Sequence, residues 1–208
     1  MAEEKKNMPT VDDQYQRLIE ARNFHYENLN KWLTFFYVAI AAIFAGFCTL
    51  HTHAASIKLE LIVMMALYLI SICAYLSCKG YYYWETNWIM LVHRFERKYF
   101  VEEDPEMRVY SVMVNKIANN CISDPTKGAN VSTTKVALVV TWLLAMLWGA
   151  LSVYLVIKLL QCTCFTTPCC KIVVSILASF VLTQLMAFIG AKCLPSDLSG
   201  LDDLSVKI

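Results

Sequence analysis

Four of the nine cysteines crowd into one short stretch, as Cys162, Cys164, Cys169 and Cys170. Thiols at this spacing can close a disulfide staple or hold a soft ion such as zinc or copper(I). Disulfides or free thiols near a membrane are the plainer reading. Cys169 and Cys170 are adjacent and poorly placed to pair with each other, so a bridge is expected to cross the turn at Pro168. His51 and His53 form a second candidate pair of metal ligands, with Glu60 the one acidic residue nearby in the sequence. That set is too small to assign a metal. Glu85 and Glu96 stand three helical turns apart and read as solvated carboxylates. His25 and His93 lie among charged neighbours and read as surface or packing residues. The sequence contains no glycine-rich phosphate loop, no nucleophile elbow and no His-Glu-Xaa-Xaa-His pair. It therefore offers no catalytic residue, metal site or cofactor, and leaves any small-molecule ligand unspecified.

The elements that would carry these residues are helices in a membrane. Of 208 residues, 58% are hydrophobic and 17% charged. Asp, Glu, Lys and Arg vanish from Trp32 to Ile57, Leu61 to Cys78, Val136 to Ile157 and Ile172 to Ala191. Each stretch is near the ~20 residues that a helix needs to cross a bilayer. Four such helices in one short soluble chain would leave too little polar surface. The fold class is thus all-α: a polytopic membrane protein with four transmembrane helices and a cytosolic helical bundle. The first apolar stretch is too long, and starts too late, for a cleaved signal peptide. A net charge of +1 argues against nucleic-acid binding, which needs a strongly basic face.

Lys and Arg favour the cytoplasmic side. Lys5, Lys6, Arg17, Arg22 and Lys31 precede the first span, eight more lie from Lys79 to Lys135, and Lys192 and Lys207 follow the last. Only Lys58, Lys158 and Lys171 fall in the two loops opposite. Both termini are therefore expected in the cytoplasm, with the cysteine-rich loop at 159–171 outside. The segments are 1–31, a cytosolic amphipathic helix; 32–78, the first two spans; 79–134, a cytosolic helical insert; 135–191, the last two spans; and 192–208, a cytosolic tail.

Periodicity fills in the pattern. A helix from Asp12 places Tyr15, Leu18, Ile19, Tyr26 and Leu29 on one stripe and runs into the first span. Trp32 and Tyr37 suit an interfacial aromatic belt. The second span continues as a helix to Phe100, roughly 60 Å in all, with Trp84, Trp88, Leu91, Phe95 and Tyr99 at helical spacing and Gly80 as a possible kink. Asp104 and Pro105 cap a further helix, 119–130 is a loop, and Ser132 to Thr134 can cap the third span. Asn130-Val131-Ser132 matches a glycosylation sequon but falls on the cytosolic side. Ala42 with Gly46, Ala145 with Gly149, and Ala187 with Ala191 are small pairs that let helices approach closely in lipid, within or between chains. Gln184 is the most polar residue of the spans and reads as glue between helices. The absence of charge in the spans speaks against ion-coupled transport, while a passive pore stays open as the alternative.

The opening Tyr15-Gln16-Arg17-Leu18-Ile19-Glu20-Ala21-Arg22-Asn23-Phe24-His25-Tyr26-Glu27, followed by Asn30-Lys31-Trp32, resembles that of the RipA-type octameric membrane proteins of bacteria. The Tyr81-Tyr82-Tyr83-Trp84 cluster and the plan of two spans, an insert and two more spans are also similar. The cysteine-rich loop has no counterpart in the pattern. The resemblance implies a homo-oligomer, a ring of eight, in the bacterial inner membrane, without a catalytic activity, in contact with lipid and linked to stress adaptation or growth inside host cells. In such an assembly Tyr15, Trp32, Trp84, Trp88 and Phe95 are the expected aromatic contacts, and Ala42, Gly46, Ala145 and Gly149 the close helix contacts.

Overall fold

The structure, a computed structural model, describes residues 10–53, 56–100, 132–160 and 167–194. Four helices account for them: α1 Val11–Thr52, α2 Ile57–Tyr99, α3 Thr133–Leu159 and α4 Pro168–Cys193. Among the described residues there is no strand. All four helices are long and apolar enough to cross a membrane. The all-helical fold with four candidate spans is the one expected. The helix expected at Asp104, the loop at 119–130, and Cys162 and Cys164 lie outside the described residues.

Local chemistry sets the helix starts. The Thr10 hydroxyl accepts from the Asp13 backbone N–H at 3.1 Å, and the Asp13 carboxylate accepts from the Thr10 N–H at 3.1 Å. This reciprocal box satisfies two backbone donors that a helix leaves open. Ser132 caps α3, its hydroxyl accepting from Lys135 N–H at 3.3 Å. Thr167 caps α4, accepting from Cys170 N–H at 3.3 Å, with Pro168 in the first turn. Proline fits there because its missing N–H has no helical partner to lose.

The chain divides into two compact units, Met1–Tyr37 with Ser77–Val139 and Val38–Leu76 with Val140–Ile208. In the first, Leu29 and Phe36 of α1, Cys78, Val92 and Glu96 of α2, and Thr134 of α3 are buried. The α1 stripe falls where expected: Tyr15, Leu18, Ile19 and Tyr26 are half-buried and Leu29 buried. On α2, Trp84, Trp88 and Phe95 are half-buried as expected, but the stripe shifts at Leu91. Val92 is fully buried, whereas Leu91 is exposed.

The core of the second unit is Ile40, Met64, Leu67 and Trp148, with Phe47, Tyr68 and Leu155 packed against it. Its α4 is apolar on the outside. The buried face is Ser175, Ser179, Thr183, Ala187 and Gly190, while Ile172, Leu177, Phe180, Val181, Leu185 and Phe188 are exposed. In water that arrangement would put large apolar side chains against solvent and small polar ones inside. In hydrocarbon it is favourable, because lipid solvates the large residues and the small ones let helices approach.

Candidate functional site

The polar chemistry of the first unit gathers between helices. Tyr15 Oη donates to Glu96 Oε1 at 2.7 Å. Glu96 is fully buried, so it is not the solvated carboxylate that its helix position suggested. Tyr15 also stacks on Phe95 at 5.8 Å between ring centroids and meets Phe100 edge-on at 5.1 Å. Phe95 in turn lies 4.5 Å from Tyr99. The result is a carboxylate held inside an aromatic clasp, where a charged or polar group needs its donors.

Two more ties join the helices of this unit. Thr134 Oγ1 donates to Glu85 Oε2 at 2.5 Å, joining α3 to α2. Tyr26 Oη lies 3.4 Å from Thr133 Oγ1, joining α1 to α3. His25 Nε2 lies 3.3 Å from the Tyr81 carbonyl, and the two rings are 4.9 Å apart. Burial pushes the Tyr81 phenol above its usual range. Lys135 Nζ sits 5.9 Å from the Tyr82 ring centre, within the reach of a cation–π contact.

The second unit uses hydroxyls as close-packing contacts. Ser179 Oγ donates to the Met146 carbonyl at 2.8 Å, bridging α4 to α3. Tyr68 Oη lies 3.4 Å from Thr183 Oγ1, tying α2 to α4. Ser152 and Ser175 donate to the carbonyls of Trp148 and Lys171, one turn back on their own helices, at 2.8 and 2.7 Å. Gly149 makes room for this meeting. A Cβ there would strike Ser179 Oγ and stand 2.9 Å from Tyr68 Cε2.

At the far end of α1, His51 Nδ1 pairs with Glu60 Oε1 at 3.0 Å. His53 is exposed and does not join them. Among the described residues no three His, Cys, Asp or Glu side chains converge on a metal position. Cys169 and Cys170 are exposed free thiols.

Of the residues singled out by sequence, Tyr15 and Phe95 meet directly, and Ala145 and Gly149 are buried in the second unit. Trp84 and Trp88 are half-buried. Trp32 is 50% exposed beside Phe35 and Phe36. Ala42 and Gly46 are exposed, and nothing lies within 4 Å of a Cβ built on Gly46. Gln184 is also exposed and makes no hydrogen bond with a described residue. The glue that was expected of Gln184 comes instead from its neighbour Thr183. Periodicity alone missed Glu96 and Thr134. The four-residue spacing of Ser175, Ser179 and Thr183 was the one signal that marked the buried face of α4.

Four membrane-crossing helices, an inside-out α4 and helix contacts built from hydroxyls and small residues define a polytopic membrane protein. The chain matches the octameric membrane protein family over residues 12–157, and it belongs to that family. No curated protein and no solved structure matches it.

Proposed function

We propose that the protein is a non-enzymatic homo-oligomer, eight copies in the bacterial inner membrane, with both termini in the cytoplasm and lipid around its spans. The observation that carries this reading is Gln184. Its carboxamide lies near the middle of the fourth span, on the exposed side, with no hydrogen-bond partner among the described residues. An amide facing hydrocarbon alone is costly, and a second copy can supply the partner. The family's octameric description gives the copy number. The excess of Lys and Arg before the first span, in the insert and in the tail supports the orientation.

The channel alternative draws less support. The hydroxyls on the buried face of α4 bond to Met146, to Lys171 and to Tyr68, which suits helix packing rather than a solvated lining. The cellular setting we attach to the assembly is stress adaptation or growth inside host cells, as the family resemblance implies. Native mass spectrometry of the detergent-purified chain tests the reading. A particle of eight copies is expected. A monomer or dimer refutes it, and ion leakage from liposomes carrying the pure protein would favour the channel.

A further inference from the structure

We propose that the outward face of α1 in one copy docks on the outward face of α2 in the next, with Phe24 and Met90 at the centre of the contact. The inference rests on the assembly reading above and adds the surfaces that meet.

Lipid accounts for the exposed apolar residues of the spans but not for these two. Phe24 is 66% exposed and Met90 57%. Phe24 precedes Trp32 by about 12 Å of helix, and Met90 follows Cys78 by about 18 Å, at 1.5 Å per residue. Both lie outside the uncharged stretches. Large exposed apolar residues at such places mark an interaction surface.

The charges around them are opposite. Glu20, Phe24 and Glu27 share one face of α1, at spacings of four and three. Tyr83, Met90, Arg94 and Arg97 share one face of α2 by the same rule. Glu20, Glu27, Arg94 and Arg97 are exposed, and none has an ion-pair partner among the described residues. From Lys79 to Tyr99, α2 exposes no acid at all, because Glu85 is half-buried and Glu96 buried. Carboxylates on either side of Phe24 disfavour an anionic lipid surface as its cover. The cationic face of α2 complements them.

The geometry of neighbouring copies is compatible. Copies inserted the same way present α1 and α2 to each other antiparallel, the relation they already have inside the first unit. There Tyr15 is level with Glu96. Counting along both helices from that contact puts Glu20 level with Leu91, within one turn of Met90 and Arg94. Phe24 comes level with Asn87, between Tyr83 and Met90. A contact between two different faces is head-to-tail, and a head-to-tail contact that repeats can close into a ring.

Native mass spectrometry of full-length variants tests the pairing, with circular dichroism to establish that each is helical. Glu20→Arg and Arg94→Glu should each lower the octamer fraction by about ten-fold or more, since like charges then face each other at every contact. The double variant Glu20→Arg/Arg94→Glu should restore it. A benzophenone amino acid at position 24 should cross-link to Tyr83–Arg97 of another copy. Single variants that stay octameric, a double variant that fails to recover, or cross-links within one chain or to another surface each overturn the docking while leaving the octamer standing. A wild-type chain that is itself monomeric overturns the assembly reading, and the docking with it.

Discussion

Tyr15, in the second turn of α1, donates a 2.7 Å hydrogen bond to the buried carboxylate of Glu96, eighty-one positions later in the chain. One bond thus ties the start of the first helix to the end of the second. Removing the phenol leaves a buried acceptor short of a donor, which costs roughly 1–3 kcal/mol. Tyr15→Phe keeps the ring and its stack on Phe95 but loses that bond. Its thermal midpoint in detergent should fall by several degrees. Glu96→Gln, which keeps a carbonyl oxygen for Tyr15, should cost less than Glu96→Leu. Equal midpoints for Tyr15→Phe and the wild type would show that the bond contributes nothing.

The glycines separate helix contacts made within the chain from faces left open. Gly149 packs against Ser179 and Tyr68, and a methyl group there must push both aside. Overpacking of this kind costs about 1–3 kcal/mol. At Gly190 the nearest atoms to an added Cβ are the methyl ends of Leu76, at 2.7 and 2.9 Å, and these can swing away more cheaply. Gly46 has open space around it, so Gly46→Ala should gain roughly 0.5–1 kcal/mol from helix propensity. Thermal unfolding followed by circular dichroism should rank Gly46→Ala first, then wild type, Gly190→Ala and Gly149→Ala. If Gly149→Ala melted at or above wild type, the tight α3–α4 contact would be refuted.

Gln184 separates the stability of the subunit from that of the assembly. Because its amide bonds to nothing among the described residues, Gln184→Leu breaks no hydrogen bond there and removes a polar group from the lipid-facing side. The secondary structure should melt at the same temperature or higher. In the assembly the same change removes an intersubunit partner, so the octamer should dissociate at lower detergent concentration. A variant that melts earlier and assembles normally would assign Gln184 to the subunit's own packing.

The four spans were legible because loss of charge over some twenty residues survives any error in register. The cap at Ser132 was legible because hydroxyl chemistry acts within one turn. The shift of the α2 stripe from Leu91 to Val92 was not. Leu91 and Val92 are equally apolar, and only the packing around the helix selects Val92 for burial. Glu96 was misread for the same reason: a carboxylate is soluble by default, and its partner Tyr15 lies at the other end of two long helices. For Gln184 the residue type signalled a polar contact but not which side of α4 it serves: the face buried in the subunit runs through Thr183, one residue away.

The box at the start of α1 carries a pH dependence whose sign follows from its geometry. The Asp13 carboxyl is held below its ordinary range, first by its side-chain hydrogen bond with Thr10 and then by the Thr10 backbone N–H, with Arg17 adding to the effect. A lowered folded value means that the ionised group favours the capped helix. That contribution is complete above the ordinary carboxylate value, about 3.9, and is lost as the pH falls through the lowered one. The first turn should therefore fray on acidification, seen as lost amide protection at Asp13 and Gln14, whose N–H groups bond to Thr10. Thr10→Ala should fray the turn at every pH, because it removes the acceptor of the Asp13 amide. Asp13→Asn retains a side-chain oxygen for the Thr10 N–H but cannot titrate, so its fraying should be flat from neutral pH to about pH 2. If wild type and Asp13→Asn showed the same pH profile, the ionised carboxylate would have no part in holding the helix start.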